Sequence, residues 1–294
     1  MTPFLQATVY GLLQGGLLAL IAVGFSLVWG VMNVVNLAHG ALAITGAFFS
    51  WQLHESLGLD PVLSLVVVLP VMFVVGYVIQ RGLINLVVNA PIWMTLLLTF
   101  GLEALIVNGL LLAFTGDFRS TRTGYSTNTL ALGGVRIPYA RLIAFGLSLL
   151  LTVALVLFIR NTKMGLAIRA TGMDRTAARL MGMNVRHVYA VTFGTATALA
   201  AAAGSMIGLV GTFTPVVAGG YTLQSFVIAV LGGLGNMWGA LAGGLVLGLA
   251  TAWGALYLSG TLVNAIAFGI LVLVLIVRPS GLLGKPYYEA RAEA

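Results

Sequence analysis

Apolar runs of about fourteen to twenty-five residues, nearly free of charge, recur along the whole of this 294-residue chain. A hydrocarbon core of about 30 Å takes roughly twenty helical residues, so most of the runs have the length of a transmembrane helix. The runs fall at 9–31, 37–53, 61–79, 91–115, 139–159, 188–211, 221–234, 237–258 and 262–277. The second and seventh are short and glycine-interrupted, a form the bilayer tolerates only where protein or a water-filled cavity surrounds it. Only 7% of the residues are charged, whereas about a quarter is usual for a soluble domain, so a water-exposed globule is excluded. The predicted fold class is all-α: a polytopic membrane helical bundle of about eight to nine spans, two of them short or broken, forming a single domain over 1–294.

Cysteine is absent, which removes disulfides and thiolate metal sites. The three histidines and seven acids are scattered, without the spacing of a metal site or a carboxylate pair. Residues 1–6 lack a basic n-region, so the N-terminus is expected to be retained within the first helix.

Charge then sets the orientation. Six of the fourteen basic residues, Arg160, Lys163, Arg169, Arg175, Arg179 and Arg186, lie in one loop at 160–187 beside the single acid Asp174. Such a block reads as cytoplasmic rather than as a nucleic-acid surface. Alternation places the tail with Arg278, Lys285 and Arg291 inside as well, and the N-terminus outside. His54, Glu55 and Asp60, with the polar loop at 116–138, also fall outside. Arg119, Arg122 and Arg136 in that outer loop run against the rule. Gly124 and the Gly133-Gly134 pair there predict a small hairpin.

Thirty-eight glycines are dispersed through the apolar runs. Gly11/Gly15, Gly204/Gly208, Gly235/Gly239, Gly239/Gly243 and Gly244/Gly248 have the spacing that lets two helix backbones approach closely. Asn36 and Asn236 each precede a Gly-Ala-Leu-Ala stretch, about 200 residues apart and each at an interrupted span. Corresponding interruptions in two halves of a chain point to a central transport pathway, although Gly, Ala and Leu also match by chance. Gly232-Gly233-Leu234-Gly235 is not a dinucleotide loop, because Trp238 takes the third glycine position.

In the basic loop, Asp174 is a suitable N-cap and Gly182 a suitable C′ residue for a helix of about two turns. A helix that short is marginal alone, so something should pack on it. Ala177, Leu180 and Met181 form an apolar edge; Arg175 and Arg179 form an i, i+4 basic face, open to solvation, to lipid or to a docking partner.

Three blocks resemble the permeases of branched-chain amino acid ABC importers of the LivH type. The first holds Gly11, Gln14-Gly15, Leu18-Ala19-Leu20, Gly24, Leu27, Gly30-Val31, Asn33, Asn36-Leu37-Ala38-His39-Gly40 and Gly46-Ala47. The second holds Gly165, Arg169-Ala170-Thr171, Asp174 and Ala178-Arg179-Leu180-Met181-Gly182. The third runs from Val230 through Gly232-Gly233-Leu234-Gly235-Asn236 to Gly239-Ala240 and Gly243-Gly244, with the ending Arg278-Pro279-x-Gly281-Leu282-Leu283-Gly284 behind it.

The resemblance implies a multi-pass subunit of a bacterial inner membrane, not itself an enzyme. It would import branched-chain or other hydrophobic amino acids by alternating access. Its implied partners are a second permease (LivM-like, or a homodimer mate), two cytoplasmic ATPases that bind ATP and Mg, a periplasmic binding protein and lipid. Gly165, Arg169, Ala170, Asp174, Arg175, Ala178, Arg179, Leu180, Met181 and Gly182 would couple to the ATPases. The segments around Asn36, His39, Gly40 and Gly46, and around Gly232, Gly233, Gly235, Asn236 and Gly239, would form the pathway. No cofactor is expected in this chain, since Gly284-Lys285-Pro286 lacks the Ser or Thr of a phosphate loop.

Asn36 and His39 either bond neighbouring helices and shape a bend, or meet substrate. Glu103 is the acid inside an apolar run, where it costs about 2.5–3.5 kcal/mol unless partnered, hydrated or protonated. Asn108, His39 or a group from another subunit are its candidate partners; a proton relay and a structural acid are its candidate roles. Glutamate at this position is not expected from the family. Urea, amides and aromatic acids stay open as substrates, and an autonomous channel or secondary transporter stays open as a rival class.

Overall fold

A computed structural model describes residues 2–88, 90–121, 123–126, 128–132, 134–258 and 260–284. Arg122, Gly133, Lys285, Pro286 and Arg291 lie outside the described residues. The helices are α1 (Thr2–Met32), α2 (His39–Leu57), α3 (Pro61–Ile79), α4 (Asn85–Val87), α5 (Ile92–Phe114), α6 (Tyr139–Asn161), α7 (Lys163–Met173), α8 (Arg175–Leu180), α9 (Val185–Val210), α10 (Ala218–Gly232), α11 (Met237–Tyr257) and α12 (Gly260–Val277). A π turn, Gln80–Ile84, joins α3 to α4, and a 3-10 turn, Pro215–Val217, leads into α10. Each of the nine apolar runs falls on one of these helices.

Among the described residues, seven helices are long and apolar enough to cross a membrane. Helix α2 is not among them, because Gln52, His54 and Glu55 dilute its C-terminal turn. Of α12, the stretch Ala265–Val277 is apolar but short. The count of eight to nine spans thus divides into seven full-length helices, a buried α2 and a short α12.

Helices α1 and α9 are the inner pillars: 83% and 89% of their most apolar windows are buried, against 17–28% for α3, α5 and α6. The outer helices therefore carry the exposed leucines and valines, such as Leu112 and Val66. Between helices in a bilayer close contact replaces the hydrophobic drive, and glycine supplies it. Gly11 and Gly15 of α1 face Gly244 and Gly248 of α11. A Cβ added at Gly15 would stand 2.5 Å from the Gly244 carbonyl oxygen, and one at Gly11 2.7 Å from that of Gly248. Gly204 of α9 lies against the Ala43 carbonyl of α2, and Gly46 of α2 against Ala201 of α9. Many hydroxyls inside the spans bond back one turn, as Thr192 to Val188 and Ser148 to Ala144 do, which satisfies their donors in hydrocarbon; the buried Ser26 hydroxyl of α1 has no such partner among the described residues.

At one end, β1 (Thr129–Leu132) and β2 (Val135–Pro138) form the expected antiparallel hairpin. Gln6 ties it to α1, its amide bonding both the N–H (2.9 Å) and the C=O (2.7 Å) of Arg136. Arg119 exchanges two 2.9 Å backbone bonds with Phe213 and stacks its guanidinium 4.9 Å over Trp51. Arg141, in the first turn of α6, lies 4.6 Å over the Tyr10 ring. Arg119, one of the three arginines that run against the charge rule, is thus held on an aromatic face, as is Arg141. Tyr125 donates to Asp60 (3.0 Å), whose other role is to cap α3 through the Val62 N–H. Burial, and then Asp60, push the Tyr125 phenol up to about 12.

Candidate functional site: a broken helix, two cavities and an exposed helical elbow

The chain between α1 and α2 runs back into the body of the protein. Beyond Met32, Asn33 adopts φ 52°, and irregular backbone ending in a turn at Leu37 and Ala38 carries the chain to His39. The His39 Nε2 lies 2.9 Å from the Ile21 carbonyl oxygen. Ile21 precedes the end of α1 by eleven residues, about 16 Å of helix rise, so α2 begins well inside the bundle. Irregular backbone at that depth needs internal partners. Thr99 of α5 accepts from the Leu37 N–H (3.2 Å), and Thr222 of α10 accepts from Gly40 (2.8 Å) while donating to Leu37 (2.9 Å). Gly40 is obligatory here, since a Cβ would strike Ala218 and Thr222.

Asn36 and His39 are fully packed, at 1% and 0% exposure, and line neither cavity. Asn36 Oδ1 accepts from the Ala38 N–H at 3.1 Å, so the residue shapes the break. The Asn36 Nδ2 and the His39 Nδ1 have no partner among the described residues. Asn236 behaves likewise, capping α11 through the Gly239 N–H (3.1 Å) and donating to Leu283 (2.7 Å). In both copies of the Asn-containing stretch the amide thus folds onto the start of the following helix. Gly232 and Gly239 press against each other, and Gly233 (φ 103°) and Gly235 (φ 83°) supply the left-handed turn between α10 and α11.

Glu103 is half-buried on α5, with Oε1 3.2 Å from where a Cβ of Gly219 would be. Gly219 lies in the first turn of α10, where the helix dipole favours an anion. Neither partner expected within this chain is used: the Asn108 amide donates to Ala104 on its own helix, and His39 turns to Ile21.

Two cavities flank this framework. One, of about 780 Å³ at the end opposite the hairpin, is bordered by Trp29, Asn33, Arg169, Gly235, Asn236 and Gly284, among others. The other, of about 590 Å³, is a cup between α1, α10, α11 and α12. Its polar side chains are Gln14, Tyr221, Gln224 and Thr251. The sequence pattern assigns none of these four to the pathway; for Gln14 and Gln224 the available signal is a Gln within an apolar run.

The basic loop folds into an elbow of two helices. Thr162 caps α7 by accepting from the Gly165 N–H (2.9 Å), and Gly165 lies so close to Ile159 that a side chain is excluded. Asp174 accepts from Thr176 (2.7 Å) and Ala177 (3.0 Å), and Gly182 has φ 81°, which bounds α8 as its residue types dictate. Helix α7 was not anticipated, although Thr162 and the spacing of Met164, Ile168 and Thr171 encode it. Ala178 turns inward against the group containing Val28, Met32 and Tyr189. That leaves Met173 (89%), Leu180 (84%) and Met181 (79%) in the open with Arg179, while Arg169 reaches the Arg160 carbonyl at 3.4 Å. Ala170 is half-buried and Arg175 exposed on the same elbow. Among the described residues no three His, Asp or Glu side chains converge as a metal site would require.

Close-packed broken helices, a cup within the spans and an apolar elbow beyond them define a polytopic membrane permease. A family model described as branched-chain amino acid transport system / permease component matches residues 7–276. The chain belongs to that family. It is 33% identical to the high-affinity branched-chain amino acid transport system permease protein BraD of Pseudomonas aeruginosa, over 97% of both chains. It is 32% identical to the corresponding permease LivH of Escherichia coli K12, again over 97% of each. The ribose import permease RbsC of Haemophilus influenzae is 25% identical, over 88% of this chain and 80% of its own. No solved structure matches.

Proposed function

We propose that this chain is one membrane half of an ATP-driven importer of branched-chain and other hydrophobic amino acids. The carrying observation is the family match across nearly the whole chain, with 97% coverage of relatives bearing that description. The mate is a second permease, similar or identical; separate ATPases supply ATP hydrolysis; and a binding protein delivers the solute. The charge rule assigns the elbow end to the cytoplasm of a bacterial inner membrane and the hairpin end to the outside.

In this reading α8 docks on the ATPase. Three exposed apolar side chains beside a basic face suit a protein partner better than water, and Ala178 and Gly172 couple the elbow to α1. Gly172 sits 3.0 Å, measured from an added Cβ, from the Gly30 carbonyl oxygen. ATPase closure would push α7 and α8, shift α1 at Gly30, and pass through the Gly235 contact to the α10–α11 turn. Asn36, His39, Gly40 and Gly46 act as the packed pivot of α2, and Gly232 and Gly239 as that of α11.

The test is uptake of labelled leucine by the complete complex in proteoliposomes. Exchange of both Arg175 and Arg179 for Glu is expected to abolish solute-stimulated ATP hydrolysis while the chain still inserts and folds. Unchanged stimulation would remove the docking role.

A further inference from the structure

We infer that the cup between α1, α10, α11 and α12 is the solute site of this half of the permease, and that Gln14 and Gln224 hold the solute's charged backbone groups. The inference rests on the importer reading and adds to it the residues and the class of ligand. The cup follows from helical spacing. Val217, Gly220/Tyr221, Gln224 and Val227 form one face of α10 and the 3-10 turn before it, while Thr222 and Ser225 bond behind them to the α2 break and to their own helix. Gln14 and Leu18 on α1, and Leu247 and Thr251 on α11, are i, i+4 pairs brought side by side by the Gly15–Gly244 contact.

The chemistry of the lining names the ligand. Thr251 spends its hydroxyl proton on its own helix, at the carbonyl of Leu247. The half-buried amides of Gln14 and Gln224 have no hydrogen-bond partner among the described residues. Primary amides are not left unpaired against acyl chains, so this surface meets water or a polar ligand. Each amide offers an acceptor for an ammonium group and donors for a carboxylate. Apart from the Tyr221 phenol the rest of the lining, including Leu18, Val216, Val227, Leu247 and Phe268, is apolar, and no charged side chain lines it among the described residues. A net charge in such a cup would go unneutralised, whereas a zwitterion with an uncharged apolar side chain satisfies both parts. The volume of about 590 Å³ is within the roughly 300–1,000 Å³ usual for small-molecule sites.

Gly220 offers a clean way to fill the cup. A Cβ there meets nothing within 4 Å, and its φ is ordinary, so Gly220→Leu occupies space without disturbing the fold. In the assembled importer, Gly220→Leu, Gln14→Leu and Gln224→Leu are each expected to lower leucine uptake at least about tenfold, the effect of losing hydrogen bonds to charged groups or the space itself. Co-purification with the ATPases checks assembly. Wild-type uptake in all three would overturn the site; a wild-type complex without ATP-dependent leucine uptake would instead overturn the importer reading.

The absence of cysteine provides an independent arm for any variant that assembles poorly. Gln14→Cys and Gln224→Cys in the complete complex are treated with methanethiosulfonate ethylammonium, and the mass of this chain is read. Modification at both positions, with loss of uptake, supports the site. A Leu112→Cys control on the exposed face of α5 keeps its uptake after the same treatment. No modification at 14 and 224, or modification without loss of uptake, overturns the assignment.

Discussion

Single side chains hold the irregular parts of this molecule, and their loss should be measurable one at a time. Thr222 satisfies Gly40 and Leu37 at the α2 break. Thr222→Val keeps the shape and strands both backbone groups, so a destabilisation of about 1–3 kcal/mol is expected in thermal unfolding of the detergent-solubilised protein. Glu103 stands at the first turn of α10, where the helix end favours its charge. Since Glu103 makes no hydrogen bond or ion pair among the described residues through which a proton could pass, Glu103→Gln is expected to keep near-normal uptake; a loss of uptake that depends on the proton gradient would make the residue a relay.

At the scale of the element, the hairpin and the elbow show what a short piece needs from the body. The hairpin is fastened by Gln6 and by the Tyr125–Asp60 bond to the start of α3. The Tyr125 phenol is raised from 10 to about 12, by burial first and Asp60 second. A tyrosine with a raised folded pKa stabilises fully below about pH 10 and loses that contribution as pH climbs through 12. Between pH 10 and 12, the Tm of the wild type should therefore fall more steeply than that of Tyr125→Phe; parallel curves would remove the linkage. The elbow was half legible: Asp174 and Gly182 bounded α8 by residue type alone. Which side turned inward was not, because a six-residue helix leaves the choice between Ala177 and Ala178 to the neighbouring α1 and α9.

Across the whole molecule, the glycine contacts decide how closely the pillars stand. Gly15→Leu would insert a side chain where α1 and α11 touch backbone to backbone, and a loss of about 3 kcal/mol or more in stability is expected from overpacking alone. Thermal unfolding of the purified chain, with Gly82→Leu as a control in open space, checks it.

The sequence by itself determined the membrane, the helical class, the approximate bounds of the nine helices, the hairpin and the family resemblance. Each of these depends on the local order of apolar, charged and turn-forming residues, which hydrocarbon thickness and capping chemistry read directly. The tertiary structure decided which polar residues face a cavity. Asn36 and His39 are as polar in sequence as Gln14 and Gln224, yet the first pair is consumed in closing a helix break and the second faces open space. That distinction depends on contacts between segments distant in sequence, such as Gly15 with Gly244, and no local pattern carries it.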